Sequence, residues 1–123
     1  MKGVDNEELA QSYLRGPAFS LFADGVIIAI AGIAIIWPGM GEAWALFGKD
    51  FKKHKITIHR ETLRGLKWIA AKHGLRRIQA AADRDNPMTS RWLYSLGFKF
   101  EGIMPEYWNG KTFSRFGRVF KCL

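Results

Sequence analysis

The chain has 123 residues, of which 48% are hydrophobic and 24% charged, so we expect one domain over 1–123 and exclude a multidomain protein, wholesale disorder and a fibrous repeat. The formal net charge is +8, but residues 1–50 hold three basic and six acidic groups (−3), whereas residues 51–123 hold 16 basic and five acidic groups (+11). The positive charge of the second half attracts polyanions such as nucleic acid, an anionic membrane or nucleotide phosphates. The alternative is that these residues simply form a solvated basic surface.

The first third of the chain predicts a short helix followed by a hairpin. A helix is expected from Asn6 to Leu14, and the apolar run Ala18–Ala23 predicts a short strand. Asp24-Gly25 then separates this strand from the continuously apolar run Val26–Ile36. An Asp-Gly pair between two apolar runs is typical of a two-residue hairpin turn, so the two strands are expected to pair antiparallel.

The apolar run Val26–Ile36 also raises the question of a membrane segment. It has only 11 residues, whereas a spanning helix needs about 20, and seven of its residues are Val or Ile, which favour strands. The segment ahead of it, residues 5–8, is acidic, where a signal peptide requires a basic region. We therefore predict a strand buried on both faces and no membrane association.

The middle of the chain predicts a third strand and a long helix. After a turn at residues 37–41, Glu42–Gly48 reads as a strand that completes an antiparallel meander. A basic loop, Lys49–Lys55, leads into a helix from about Thr57 to His73, in which apolar residues recur at spacings of three and four. Gly74 is expected to end this helix in the left-handed conformation.

The last third of the chain predicts a strand, another helix and a closing hairpin. Arg76–Ala82 is strand-like, and the next helix is expected to open with Pro87 at its first position and to close at Gly97. Phe98–Met104 and Lys111–Phe120 flank an Asn-Gly turn and predict a hairpin. The predicted order is helix, three strands, helix, strand, helix and two strands, which is an α+β domain.

Three local patterns within residues 18–120 resemble the GNAT superfamily of N-acetyltransferases. Asn86 is followed seven residues later by Leu93–Phe98, which looks like the superfamily's asparagine, helix and "L-G-F" ending. Ala70–Gly74 is similar to the "A-x-x-x-G" end of its long helix, and Glu42–Phe47 is similar to the fourth strand of phage members, some described as internal virion proteins. The resemblance implies a mixed, mostly antiparallel central sheet flanked by helices, here shortened at the N-terminus.

The resemblance also implies the chemistry, which is acetyl transfer from acetyl-CoA to an amine. In this superfamily the fourth and fifth strands splay apart around the pantetheine arm, and the pyrophosphate lies on backbone N–H groups at the start of the next helix. On this basis the residues expected to bind acetyl-CoA are Ala45, Leu46, Phe47, Lys53, His54, Lys55, Thr57, His59 and Asn86.

The chain departs from the family pattern at two places. Thr57 and His59 stand where the family's phosphate loop has small residues, and nearby lysines such as Lys55 are expected to compensate as point charges. The general acid is commonly a tyrosine seven residues after the asparagine, and this position is Leu93. Tyr94 is adjacent but points about 100° away on a helix.

Glu42 is the candidate catalytic residue, because transfer to an amine needs a base that removes a proton. A carboxylate where an apolar strand begins suits this role, and the alternative is a solvated turn glutamate. Tyr107 and Trp108 line an acceptor pocket or simply cover the closing hairpin. The three histidines have irregular spacing, and Cys122 is the one cysteine, so we expect no metal site and a reducing compartment.

The leading hypothesis is an acetyl-CoA-dependent N-acetyltransferase of the phage type, acting on an amine of a protein or small molecule in the host cytoplasm or the virion. The alternative is a non-catalytic phage protein of the same fold that binds a host or virion protein, and a nucleic-acid binder is less favoured. Ala18–Ala23 is expected to be an edge strand with no proline or lysine inside it, so we also expect a homodimer at or near this edge, with the N-terminal helix contributing. The alternative is a monomer in which this helix alone covers the edge.

Overall fold

A computed structural model describes residues 16–121, so the predicted helix Asn6–Leu14 and the cysteine at position 122 lie outside the described residues. The described strands and helices follow the predicted order. The strands are β1 (Ala18–Ala23), β2 (Val26–Trp37), β3 (Met40–Phe47), β4 (Arg77–Asp83), β5 (Lys99–Trp108) and β6 (Lys111–Val119). The helices are α1 (Lys55–His73) and α2 (Pro87–Ser95), and a short 3-10 helix, Phe51–His54, precedes α1.

The six strands form one sheet in the order β1-β2-β3-β4-β6-β5. Every neighbouring pair is antiparallel except β3 and β4, which are parallel. This mixed, mostly antiparallel sheet with helices packed against it confirms the predicted α+β fold.

The parallel pair β3 and β4 is short and then diverges. Its register covers three positions, from Met40 opposite Arg77 to Glu42 opposite Gln79. Beyond them β3 continues to Phe47 and β4 to its own end without pairing to each other. The centre of the sheet is therefore splayed, and the backbone of β3 beyond Glu42 has no strand partner on the β4 side.

The middle of strand β2 is buried on both faces, as its continuous apolar sequence predicts, whereas the ends of the strand are exposed. Ile28 and Ala34 are buried together with Ile33, and the alternation of side chains along a strand puts these residues on both faces of the sheet. Neither helix among residues 16–121 is long and apolar enough to span a bilayer.

The main core lies on the face of the sheet that α1 and α2 cover. Leu66 and Ile69 of α1 pack with Ile78 of β4, Leu96 and Phe116, each of which is at most 5% exposed. We call the opposite side of the sheet the open face. This division separates an apolar, helix-covered side from a more polar side at the splay.

Strand β1 is the edge of the described sheet, as predicted. The Ile33 N–H donates to the Pro17 carbonyl oxygen (3.0 Å), and the alternation of an antiparallel ladder then turns the N–H groups of Phe19 and Leu21 toward β2. The N–H and C=O groups of Ser20, one position between them, point outward from the sheet.

Element boundaries differ from the predictions at several places. The strand predicted over Phe98–Met104 extends to Trp108 as β5 (Lys99–Trp108). The helix α1 begins at Lys55 rather than near Thr57, because the expected basic loop is itself helical over Phe51–His54 and continues into α1. The turn before β3 is only Pro38-Gly39, with Gly39 at φ 90°, so β3 starts at Met40. The helix end at Gly74 (φ 63°) and the start at Pro87 are as predicted.

Candidate functional site

Two adjacent cavities lie at the splay of β3 and β4. The larger has a volume of about 440 Å³ and lies between the start of α1 and α2. Its lining consists of Phe47, Phe51, Lys55, Ile56, Ile58, His59, Asn86, Met88, Thr89, Arg91 and Trp92. The smaller has a volume of about 240 Å³ and shares Phe47, Thr89 and Trp92 with the larger, so the two are continuous along these side chains.

The smaller cavity passes between the splayed strands. Three successive residues of β3, Ala43, Trp44 and Ala45, line it, and so do Ala80 and Ala81 of β4. Successive residues of one strand point to opposite faces, so this lining includes the edges of the two strands as well as side chains. The smaller cavity therefore lies at the gap between β3 and β4, and Glu42 is outside the linings of both cavities.

The larger cavity is mostly apolar, with a basic rim. Lys55, His59 and Arg91 are its basic lining residues, and its lining contains no acidic residue. No side chain caps the first turn of α1, and the helix dipole adds positive potential there. This combination suits a ligand that has an apolar part and an anionic part.

His59 also joins the two helices that bound the larger cavity. Its Nε2 atom lies 3.1 Å from the carbonyl oxygen of Ser95, so the ring donates from Nε2 to the last turn of α2. A carbonyl only accepts hydrogen bonds, which fixes the proton on this nitrogen. The contact holds the end of α2 against the first turns of α1.

Some of the residues predicted to bind acetyl-CoA line the two cavities, and the others lie outside them. Residues that line the larger cavity are Phe47, Lys55, His59 and Asn86, and Ala45 lines the smaller one. Residues outside both linings are Leu46, Lys53, His54 and Thr57. Lys53 instead extends into solvent and lies 3.7 Å from the Asp50 carboxylate.

Glu42 lies where β3 and β4 separate, half-buried and on the open face. Its Oε1 atom accepts a hydrogen bond from Gln79 Nε2 (3.1 Å), and its Oε2 atom accepts one from Tyr107 Oη (3.4 Å). Burial, and then the Glu42 charge and this hydrogen bond, raise the pKa of Tyr107. Tyr107 therefore stays a donor to Glu42 at neutral pH.

Hydrogen bonds continue from Glu42 across the open face. Gln79 Oε1 accepts from Arg77 Nη2 (3.3 Å), and Arg77 donates from both terminal nitrogens to the Glu101 carboxylate, with 2.8 Å between Nη1 and Oε2. We call Tyr107, Glu42, Gln79, Arg77 and Glu101 the polar row. It links strands β3, β4 and β5 through side chains alone.

The charged end of the polar row is a tight ion pair. The hydrogen bond from Arg77 is the main cause that lowers the pKa of Glu101, and the same bond raises the pKa of Arg77. Arg115 Nε lies 4.0 Å from the same carboxylate. Gly117 of the intervening strand leaves room for the pair, since a Cβ atom there would lie 2.7 Å from Arg77 Nη1.

The position that is tyrosine in the family pattern holds a core residue. Leu93 is 5% exposed and belongs to the main core. Tyr94 packs edge-on against Phe116 with 5.1 Å between ring centroids, and it is outside the lining of both cavities. Neither residue places a tyrosine hydroxyl in the splay.

Sequence reasoning missed Gln79 and Arg91, and it left the role of Tyr107 open. Gln79 had a usable signal, because it is the one polar side chain in the run Ile78–Ala82. Arg91 had none, since an exposed arginine on a short helix is ordinary. Among residues 16–121 there is no group of three or more His, Cys, Asp and Glu residues that could hold a metal ion.

Solved structures of similar fold are GNAT-family acetyltransferases, whereas no family model and no curated protein matches the sequence. A chimera of the spermidine N-acetyltransferase SpeG from Vibrio cholerae and hSSAT is 18% identical, with a TM-score of 0.74 over 94% of this chain and 75% of that one. A GNAT-family acetyltransferase from Streptococcus pneumoniae is 17% identical, with a TM-score of 0.75 over 94% and 74%. The ribosomal-protein-S5-alanine acetyltransferase from Vibrio fischeri is 17% identical, with a TM-score of 0.72 over 93% and 67%. At these identities the likeness shows that the chain has the GNAT fold.

Proposed function

We propose that this protein is an acetyl-CoA-dependent N-acetyltransferase. The observation that carries the proposal is the splay of β3 and β4, because a basic-rimmed cavity adjoins it on the helix side and Glu42 lies on the open face where the two strands separate. Donor and acceptor then approach from opposite sides of the sheet and meet between the two strands. The structural neighbours are named as acetyltransferases, which agrees with this assignment.

The residues of the larger cavity fit acetyl-CoA, which supplies the activated acetyl group. Lys55 and Arg91 offer positive charge to phosphates, and the dipole of α1 adds positive potential at its start. Phe47 and Trp92 offer apolar surface to the rest of the molecule. Past Glu42, β3 and β4 no longer pair with each other, so an extended arm has room to lie between them and to hydrogen-bond to the β3 backbone, as a strand partner would.

Glu42 is the proposed base for the acceptor amine. Both of its oxygens already accept hydrogen bonds from neutral donors, Gln79 and Tyr107, and these donors hold the carboxylate at the splay. A carboxylate in this position accepts a proton from an ammonium group directly or through one water molecule. Tyr107 and Gln79 are positioning residues in this proposal.

A non-catalytic protein of the same fold is the second candidate. The observation that favours it is the buried Leu93 in place of a tyrosine, together with the absence of glycine from the start of α1. In this case the same surfaces bind a host or virion protein. The phage-type assignment, with a place in the host cytoplasm or the virion, rests on the sequence Glu42–Phe47 and is part of the proposal.

Calorimetric titration with acetyl-CoA tests the donor site. We expect Lys55→Ala combined with Arg91→Ala to weaken binding at least tenfold, about 1.4 kcal/mol. Lys53→Ala is the matched control, because Lys53 is exposed and outside the cavity lining, and it should leave the affinity unchanged.

A thiol-release assay with a panel of amines tests the reaction itself. Release of CoA that depends on an amine supports the enzyme, and saturable binding without release favours the non-catalytic candidate. Absence of acetyl-CoA binding to the unmodified protein would refute both the donor site and the enzymatic function.

A further inference from the structure

The charges along the polar row bear on which amines reach Glu42. Glu101 and Asp83 also lie on the open face, but each pairs with a cation: Glu101 with Arg77, and Asp83 with Lys111 at 3.2 Å. Among the described residues no Lys or Arg pairs with Glu42, whose hydrogen-bond partners are neutral. Glu42 therefore presents the unneutralised negative charge in this row.

The next charge along the row is positive. A single amide group, that of Gln79, separates Arg77 from Glu42 through hydrogen bonds of 3.3 and 3.1 Å. The guanidinium is thus no more than about 9 Å from the Glu42 carboxylate. Arg115 adds a second cation beside Glu101, and its side chain is 48% exposed.

An acceptor with several amines is electrostatically mismatched with this arrangement of charges. One ammonium group of a polyamine pairs with Glu42, but the next, three or four methylene groups away, comes within the field of Arg77 and Arg115. Like charges at such separations repel, and Glu101 does not compensate because two arginines already engage it. An amine that has a carboxylate next to it binds more favourably, because the same arginines attract that carboxylate.

We propose that the acceptor is an amine whose neighbouring group is neutral or anionic, such as the N-terminal amine of an acidic peptide, and that polyamines are poor acceptors. This inference rests on the proposed acetyltransferase function and specifies its substrate class. It distinguishes this chain from the structural neighbours that are spermidine N-acetyltransferases.

The test compares spermidine with a short peptide that has a free N-terminal amine followed by two aspartates. In the unmodified protein we expect kcat/KM for the peptide to exceed that for spermidine at least tenfold. Arg115→Gln should shift this ratio toward spermidine at least threefold, and Glu101→Gln should shift it toward the peptide. Lys67→Gln, on the exposed surface of α1, removes the same charge as Arg115→Gln and should leave the ratio unchanged.

Equal or better use of spermidine by the unmodified protein would overturn the inference, as would an Arg115→Gln shift no larger than that of Lys67→Gln. Direct calorimetric titration of the two amines supplies a second readout that needs no turnover, and the same preference is expected in the dissociation constants. If neither amine is acetylated, the proposed reaction fails while the binding preference still decides this inference. Circular dichroism of each variant checks that it is folded.

Discussion

Replacing Glu101 with glutamine probes the charged end of the polar row. The substitution keeps the size of the side chain but removes the charge that accepts two hydrogen bonds from Arg77. The two side chains are 32% and 29% exposed, so solvent screens the pair partly. Ion pairs of this exposure contribute up to about 1 kcal/mol, and we expect Glu101→Gln to lower the free energy of unfolding by about that amount at pH 7.

The pH dependence of this loss has a defined sign. Arg77 lowers the pKa of Glu101 below its usual value of 4.5 in the folded protein. A carboxylate with a lowered folded pKa contributes stability that is present above the unfolded pKa and is lost as pH falls through the folded pKa. The difference between the unmodified protein and Glu101→Gln should therefore be full at pH 7 and should shrink as the pH falls below the unfolded pKa and through the lowered folded pKa.

Urea unfolding followed by circular dichroism at pH 7 and at low pH measures both quantities. The matched control is Asp50→Asn, which removes a carboxylate from the much more exposed pair with Lys53 and should change the unfolding free energy very little. Gly117→Ala tests the geometry, because it keeps both charges but places a methyl group 2.7 Å from Arg77 Nη1. It should reproduce the loss seen with Glu101→Gln.

A loss at pH 7 that persists unchanged at low pH would show that Glu101→Gln acts through packing and not through the ion pair. No loss at any pH would show that the pair contributes nothing. Either result would contradict the reasoning from the Arg77 contacts.

Three further outcomes are expected. Glu42→Gln should lower acetyl transfer on the order of a hundredfold with acetyl-CoA affinity unchanged, as steady-state kinetics and calorimetry would report, and normal turnover would remove Glu42 from the reaction. Phe116→Ala, at a side chain only 1% exposed, should lower the free energy of unfolding by about 3–5 kcal/mol in urea titrations, and a loss under 1 kcal/mol would contradict its place in the core. Ser20→Pro should dissociate a homodimer paired through β1, because it removes an outward N–H group, and a monomer mass for the unmodified protein in light scattering would refute that dimer.

The elements of the fold were predictable where local chemistry decides them. Asp24 (φ 51°) and Asn109 (φ 54°) adopt the left-handed conformation that their two-residue turns require, and Gly74 (φ 63°) ends α1 in the same region. These signals depend on residues next to each other in sequence. They therefore fix the hairpins and the helix end without any knowledge of tertiary packing.

The lining of the larger cavity was only partly predictable, because it depends on the phase of α1. A start near Thr57 leaves the preceding lysines in a loop, where any of them can face a ligand. The helix in fact starts at Lys55 after a 3-10 turn, which turns Lys55 toward the cavity and Lys53 toward Asp50 and solvent. A shift of two residues in a helix start thus decides which lysine belongs to the site.

The polar row was not predictable as a unit, because its contacts join residues far apart in sequence. Gln79 is 37 positions from Glu42, and Tyr107 is 65 positions from it. Their approach depends on the strand order that places β4 beside β3 and β6 between β4 and β5. The sequence indicates Glu42 as a base and marks Gln79 as the one polar residue of its run, but no local signal pairs Gln79 or Tyr107 with Glu42.

The chemistry of Gln79 explains why a distant ion pair bears on Glu42. Arg77 has only donors, so the amide of Gln79 must turn its oxygen toward Arg77, and its nitrogen then faces Glu42 as a donor. Because Glu101 holds Arg77 in place, the pair fixes the orientation of the amide as well as its own geometry. Loss of Arg77 would free the amide to rotate, and Glu42 would then lose a hydrogen bond without any change at Glu42 itself.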